Sequence, residues 1–480
     1  MAAGAAGGML NQQEGAGCSA STAQASAVGV TTISFRQVGT GAGTGTGMGG
    51  AAKADTDTVG VAGDNVYPGF SLGSIRVWTP LLLAPMAGVT DQSFRRLCRR
   101  FAELALAGEA TAGLYSVAAL SENQNFPKAQ PKKDAPGGLY VSEMVTAKAI
   151  CERNRTSLAM VRVDPAERVR SIQLYGVNSQ ALAEAMRYLL ERDLADHIDL
   201  NFGCPVPKVM RRGGGSAVPW KVDLFREIVT AVVGIAREVR GGEVPVTIKM
   251  RIGIDDDHVT VFDAAQIAEE AGIAAIGLHA RTAAQYYSGD ARWEWIAELK
   301  RRVSVPVFGN GDVFSGQDAK HLLAETGCDG VTVGRGCQGR PWLFAQVAAA
   351  LTGKPIPLAP NLRQVADIIT LHATWMVEDL GNETLALRHM RKHIGWYLRG
   401  FAVGGQMRGK LSLVKTLAEL RELLEQLDLE QEFPASSTGR RGRAGNERVP
   451  HLPQGWLDSR ILSAKDRQNL HLAEEGGSGG

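Results

Sequence analysis

Gly330-Val331-Thr332-Val333-Gly334-Arg335 is a short apolar run that ends on a glycine and an arginine. It is the last of eight such runs, and the count decides the fold. The others are Leu81–Pro85, Leu139–Glu143, Ser171–Leu174, His197–Asn201, Val246–Met250, Ala275–His279 and Val305–Gly309. Most are apolar at successive positions, as strands buried on both faces must be. Helical patterns fall between them, at Ser179–Arg192, Leu224–Arg240, Val261–Ala271 and Gly316–Glu325. Eight strand-then-helix units predict an α/β fold, a (β/α)₈ (TIM) barrel over residues 67–355. A doubly wound open sheet needs no eighth unit and favours Gly-x-Gly-x-x-Gly after its first strand. No such motif follows Leu81–Pro85.

Working outward, one connection is far longer than usual. Glu103–Gly138 separates the first helix from the second strand and reads as an insertion near the active-site rim. Pro355–Pro360 reads as a linker. Beyond it, Gln364–Asp379, Glu383–Phe401 and Leu411–Leu427 have helical periodicity, predicting a small all-helical domain over 361–430. Residues 431–480 are polar and Gly-rich and predict a flexible tail. Residues 1–66 are rich in Ala, Gly, Ser and Thr and predict a disordered extension, because they carry too little apolar surface to offset the entropy of ordering.

Composition narrows the function. Of 480 residues 44% are hydrophobic, enough for a large core. The net charge of +2 means that any nucleic-acid surface must be a local patch. None of the six cysteines forms a Cys-x-x-Cys pair, which argues against zinc ribbons, iron–sulfur runs and disulfide scaffolds and favours a reducing, cytoplasmic setting. No apolar run is long enough to span a bilayer, and the start lacks the pattern of a secretory signal. Nothing indicates an obligate protein partner.

The strand ends carry the chemistry, because barrels of this kind build their sites there. Reading around the ring gives Pro85-Met86-Ala87, Glu143, Gln173, Asn201 with Cys204, Lys249 with Arg251, His279 with Arg281, Asn310-Gly311-Asp312, and Gly334-Arg335. The glycines and arginine after strands seven and eight suit a phosphate, which backbone N–H groups can approach closely there. Tight turns alone are the plainer alternative. Lys249 either snorkels to solvent or faces an anion such as the pyrimidine edge of a reduced flavin, with Gln173 and Asn201 offering amides to the same ring. Cys204 sits in a Gly/Pro loop, where a protonated thiol can act as a general acid without special tuning. Cys98, Cys151 and Cys328 read as small buried hydrophobes. His279 has no ligand set around it, and Asp255-Asp256-Asp257-His258 lacks the alternation of a calcium loop, so no metal site is expected. Between Arg388 and Lys415, seven basic residues and interleaved rings occur without an acid, which suits a phosphate backbone and exposed bases.

These segments resemble the bacterial tRNA-dihydrouridine synthases, in particular the B-type branch. The resemblance rests on Ala84-Pro85-Met86-Ala87-Gly88-Val89-Thr90-Asp91, Ser142-Glu143-Met144 and Asp199-Leu200-Asn201-Phe202-Gly203-Cys204-Pro205. It continues through Lys249-Met250-Arg251, His279-Ala280-Arg281-Thr282, Asn310-Gly311-Asp312, Gly334-Arg335 and Gly339-Arg340-Pro341-Trp342 into Arg391-Lys392-His393 with Trp396-Tyr397. It covers roughly residues 75–425 apart from the insertion. It implies FMN as cofactor, NADPH as reductant and tRNA as substrate. It implies that Pro85, Met86, Ala87, Gln173, Asn201, Lys249, His279, Asn310, Gly311, Asp312, Gly334 and Arg335 surround FMN. Cys204 is then the proton donor, and Arg281, Arg391, Lys392, His393 and Tyr397 lie on the RNA side. Two alternatives differ in class. A small-molecule flavoenzyme of dihydropyrimidine or dihydroorotate dehydrogenase type would not need the basic helical domain. A non-catalytic tRNA chaperone would not need the cofactor and cysteine set.

Overall fold

A computed structural model of the chain describes residues 66–109, 111–122, 133–441 and 445–475. The extension expected to be disordered lies outside the described residues but for its last position. Eight parallel strands close into a barrel. In order they are Leu81–Leu83, Leu139–Thr146, Ser171–Tyr175, His197–Phe202, Val246–Arg251, Ala275–His279, Val307–Asn310 and Gly330–Val333. Each pairs with its neighbour in sequence, and the eighth closes on the first through Val331 opposite Leu81 and Val333 opposite Leu83. All eight predicted runs are therefore strands, displaced by no more than three residues at either end.

Local signals start and stop the helices as their chemistry requires. Asp91 accepts a hydrogen bond from Phe94 N–H and opens the first helix, Gln92–Ala107, which Gly108 closes at φ 87°. A reciprocal Asn361/Gln364 capping box opens Leu362–Leu380. Helices Glu383–Tyr397, Gly405–Leu411 and Leu417–Glu425 follow. The single helix expected over Leu411–Leu427 is broken because the Thr416 side chain caps a new start by accepting from Glu419 N–H.

The described part of the long connection does not line the cavity at the strand ends. The first helix continues to Ala107, two short helices follow at Thr111–Leu114 and Val117–Ser121, and the strand Lys133–Ala135 pairs with Ile75–Val77. That strand leads directly into the start of barrel strand two, so it lies at the N-terminal end of the barrel. There Leu72, Ile75, Val77 and Ala135 pack on Leu82, Leu139, Ala275 and Phe308 and close that end. Residues 123–132 of the connection lie outside the described residues.

The segment expected to be a flexible tail is anchored to the barrel at several points of its described length. Trp456 is buried and donates from Nε1 to Ala217 O at 3.1 Å. Leu462 is buried, and Arg460 bonds Asp263 at 2.8 Å. Polar composition concealed a few anchors, each placed where the barrel offers a pocket or a carboxylate. No helix among the described residues is long and apolar enough to cross a membrane.

Candidate active site

The C-terminal ends of the strands surround a cavity of about 730 Å³, within the range of small-molecule sites. Cys204 and all twelve residues expected around the cofactor line it. Arg281 does too, whereas Arg391, Lys392, His393 and Tyr397 do not.

Asn201 organises the fourth strand end. Its Oδ1 accepts the backbone N–H groups of Gly203 at 3.0 Å and Cys204 at 2.9 Å, while its Nδ2 donates to Gln173 Oε1 at 2.9 Å. Gln173 in turn donates to Asp199 at 2.6 Å. Both amides that sequence reading offers to a bound ring are therefore held in place by protein bonds. Gly215, at φ 57°, lets the following segment fold against the thiol loop: a Cβ there would lie 2.4 Å from Cys204 O. Ser216 N–H donates to that same carbonyl at 3.1 Å. Burial pushes the Cys204 thiol above its ordinary range, against the Val206 backbone N–H and the Arg251 charge, so the thiol is protonated at neutral pH.

The fifth strand supplies two cations. Lys249 Nζ donates to Asn310 Oδ1 at 2.9 Å, and Asn310 is itself fixed by donating to Thr332 O at 2.8 Å. Burial, reinforced by Arg251, lowers Lys249 to about 8. Arg251 ties the loops after the fourth and sixth strands together through Gly203 O at 2.8 Å, Thr282 O at 2.8 Å and Tyr286 O at 2.9 Å. His279 is held neutral by burial and by the surrounding cations.

After strand seven, Gly311 has φ 133° and would place a Cβ 2.6 Å from that of Ala291. Asp312 follows at φ 56°. This turn is strained for side chains and is pinned by Arg281, whose guanidinium bonds both Asp312 oxygens at 2.8 and 2.7 Å. After strand eight, Arg335 lies over the Tyr287 ring at 4.2 Å.

Three of the residues expected on the RNA side are buried in the protein. Arg281 is 1% exposed and committed to Asp312, Ser288 O and Gly289 O. His393 and Tyr397 are fully buried between the first barrel helix and Leu362–Leu380. There Tyr397 meets His372 Nδ1 at 3.2 Å, and the His393 ring packs on Phe94. Their helical spacing placed them on the inner face rather than with the exposed Lys392. Lys392 itself reaches toward the barrel, its Nζ 2.9 Å from where a Gly88 Cβ would sit. Sequence reading missed Tyr286, Tyr287, Trp396 and Arg448 in the cavity wall. The paired tyrosines six and seven residues beyond His279's neighbour Ala280 were a signal available in the loop after strand six.

Such a site suits an anionic planar cofactor. The basic side chains Lys249, Arg251 and Arg335 face the cavity, and its aspartate, Asp312, is already neutralised by Arg281. Strained glycine turns lie where the fold holds phosphates. Fold and site together define a barrel with a buried thiol beside a polar, basic cavity at its strand ends.

Comparison with known proteins narrows that class. Residues 82–433 match the family described as Dihydrouridine synthase (Dus). The chain is 47% identical over 404 residues to a probable tRNA-dihydrouridine synthase of Mycobacterium tuberculosis, covering 83% of this chain and 96% of that protein. It is 49% identical over 377 residues to that of Mycobacterium leprae, covering 78% and 95%. It is 38% identical over 329 residues to tRNA-dihydrouridine synthase B of Pseudomonas syringae, covering 68% and 85%. The chain belongs to the dihydrouridine synthase family, flavin-dependent oxidoreductases that reduce uridine in tRNA. The small-molecule and chaperone alternatives are thereby set aside.

Proposed function

We propose that the cavity holds FMN, that NADPH is the reductant, and that Cys204 protonates the uracil ring during reduction of its C5–C6 bond. When bound, reduced flavin supplies a hydride to carbon 6 of the uracil. The remaining work falls to residues of this chain. Lys249 would face the anionic edge of the bound cofactor, and the Gly311 and Gly334 turns with Arg335 would hold its phosphate. Charge develops on carbon 5 and the adjacent carbonyl of the uracil, and the Cys204 S–H gives its proton to carbon 5. The loop hydrogen-bonded by Asn201 keeps the thiol at a fixed position while this occurs. Tyr286 and Tyr287 offer ring faces at the mouth, where a base splayed out of its stack can be received. On the RNA side, Arg391 and exposed Lys392 remain the basic contacts of the helical region. A cytoplasmic setting goes with this substrate and with unpaired cysteines.

The observation that carries this reading is the protonated Cys204 thiol in the same cavity wall as Lys249, Gly311 and Arg335. The test is mass mapping of dihydrouridine in tRNA from cells lacking the protein. Loss at defined positions, restored by the purified protein with FMN and NADPH, is expected. Unchanged dihydrouridine at every position would refute the reading.

A further inference from the structure

We propose that Arg448, carried on the C-terminal segment, forms a phosphate subsite at the mouth of the cavity and takes a phosphodiester of the RNA strand beside the reacting uridine. The inference rests on the function proposed above and extends it to a part of the chain beyond the residues that define the family match.

Five lysines and arginines line the cavity: Lys249, Arg251, Arg281, Arg335 and Arg448. Their surroundings separate them. Lys249 is committed to Asn310, Arg251 to three loop carbonyls, and Arg281 to Asp312. Arg335 is part-buried and stacked on Tyr287. Arg448 is the exposed one, and it makes no ion pair among the described residues. Its position is nonetheless fixed. The backbone N–H donates to Ala284 O at 2.9 Å, and the guanidinium lies over the Tyr286 ring at 4.8 Å. An arginine stacked on an aromatic face keeps its N–H edge free, and that edge matches phosphate oxygens.

The nearby acids do not spoil the site. Asp312 is held by Arg281, and Asp290 is paired with Arg440. Glu447, next in the chain, is exposed to solvent. The wall that Arg448 joins also carries Cys204: the thiol, Tyr286 and Arg448 line the same cavity. Within that cavity Arg448 is exposed where the thiol is part-buried. For a nucleotide within RNA, the reacting base must enter while its phosphates stay outside, and an exposed cation at the rim meets that demand. Docking of Trp456 behind the thiol loop holds the segment on the barrel downstream.

The experiment uses the full-length holoenzyme. KM for tRNA and for NADPH is measured at several salt concentrations for the natural protein, Arg448→Ala and Arg448→Lys. For Arg448→Ala, KM for tRNA is expected to rise about tenfold, the loss of one charge-assisted contact. The slope of log KM against log salt should fall by about one. Arg448→Lys should recover the salt slope and most of the KM, which a merely structural loss would not allow. FMN content should be equal in all three. Unchanged tRNA KM and salt slope in Arg448→Ala would overturn the subsite, as would a rise confined to KM for NADPH. Failure of the natural protein to form dihydrouridine would instead remove the functional reading itself.

Discussion

Asn201 Oδ1 lies 2.9 Å from the backbone nitrogen of Cys204 and 3.0 Å from that of Gly203. One side chain thus satisfies two loop donors and sets the thiol's position from the end of a barrel strand. Asn201→Ala leaves both N–H groups without their acceptor. Stability should fall by about 1–3 kcal/mol, and dihydrouridine formation should fall about 10- to 100-fold with FMN still bound. Urea unfolding and turnover on tRNA check both.

Arg281→Ala uncovers Asp312 in a buried turn. Breaking a buried pair from one side costs up to about 3–5 kcal/mol, and less here because Asp312 keeps the Ala291 N–H at 2.7 Å and Arg440 at 4.0 Å. The affected turn belongs to the proposed phosphate site, so the variant should purify with little flavin. The visible absorption of the purified protein reads this directly. Full flavin content would show that Asp312 does not shape the cofactor site.

Lys249 gives a pH prediction. Burial lowers it to about 8, below its ordinary 10.5, so between these values the unfolded chain holds more protons than the empty native protein. Its contribution to stability therefore rises with pH across about 8 to 10.5. An anionic cofactor favours the charged amine, so FMN binding at pH 9 should take up a proton. Calorimetry in buffers of different ionisation heats checks this, and Lys249→Met should abolish the uptake.

Much of this architecture was legible in the sequence. Runs such as Val246–Met250 and Gly330–Gly334 are apolar throughout because both their faces are buried, and that pattern survives without any knowledge of contacts. The strand-end residues were legible because the fold points them at one cavity. What failed was the direction of individual side chains. His393 and Tyr397 share a basic stretch with Lys392, yet the helical turn sends them inward against Phe94. Arg281 looked free because its partner, Asp312, is distant in sequence. The tail looked mobile because one tryptophan and two leucines, Leu462 and Leu470, carry its docking, and composition averages them away. Arg448 was hidden for the same reason: nothing local says that it reaches Tyr286.

Trp456 tests the tail. Trp456→Ala empties a buried site against Gly213 and Ala217, in the segment that supports Cys204. A loss of about 3–5 kcal/mol is expected from the cavity. Limited proteolysis should then cut within 445–475, where the natural protein resists.

The account turns on the thiol of Cys204, which burial keeps protonated at neutral pH. The most direct measurement is single-turnover reduction of tRNA by Cys204→Ala, loaded with FMN and pre-reduced with NADPH. Removing a general acid should slow dihydrouridine formation by about 10²- to 10⁴-fold, while flavin content and flavin reduction stay at the level of the natural protein. Dihydrouridine formed by Cys204→Ala at the natural rate would contradict the assignment of Cys204 as the proton donor.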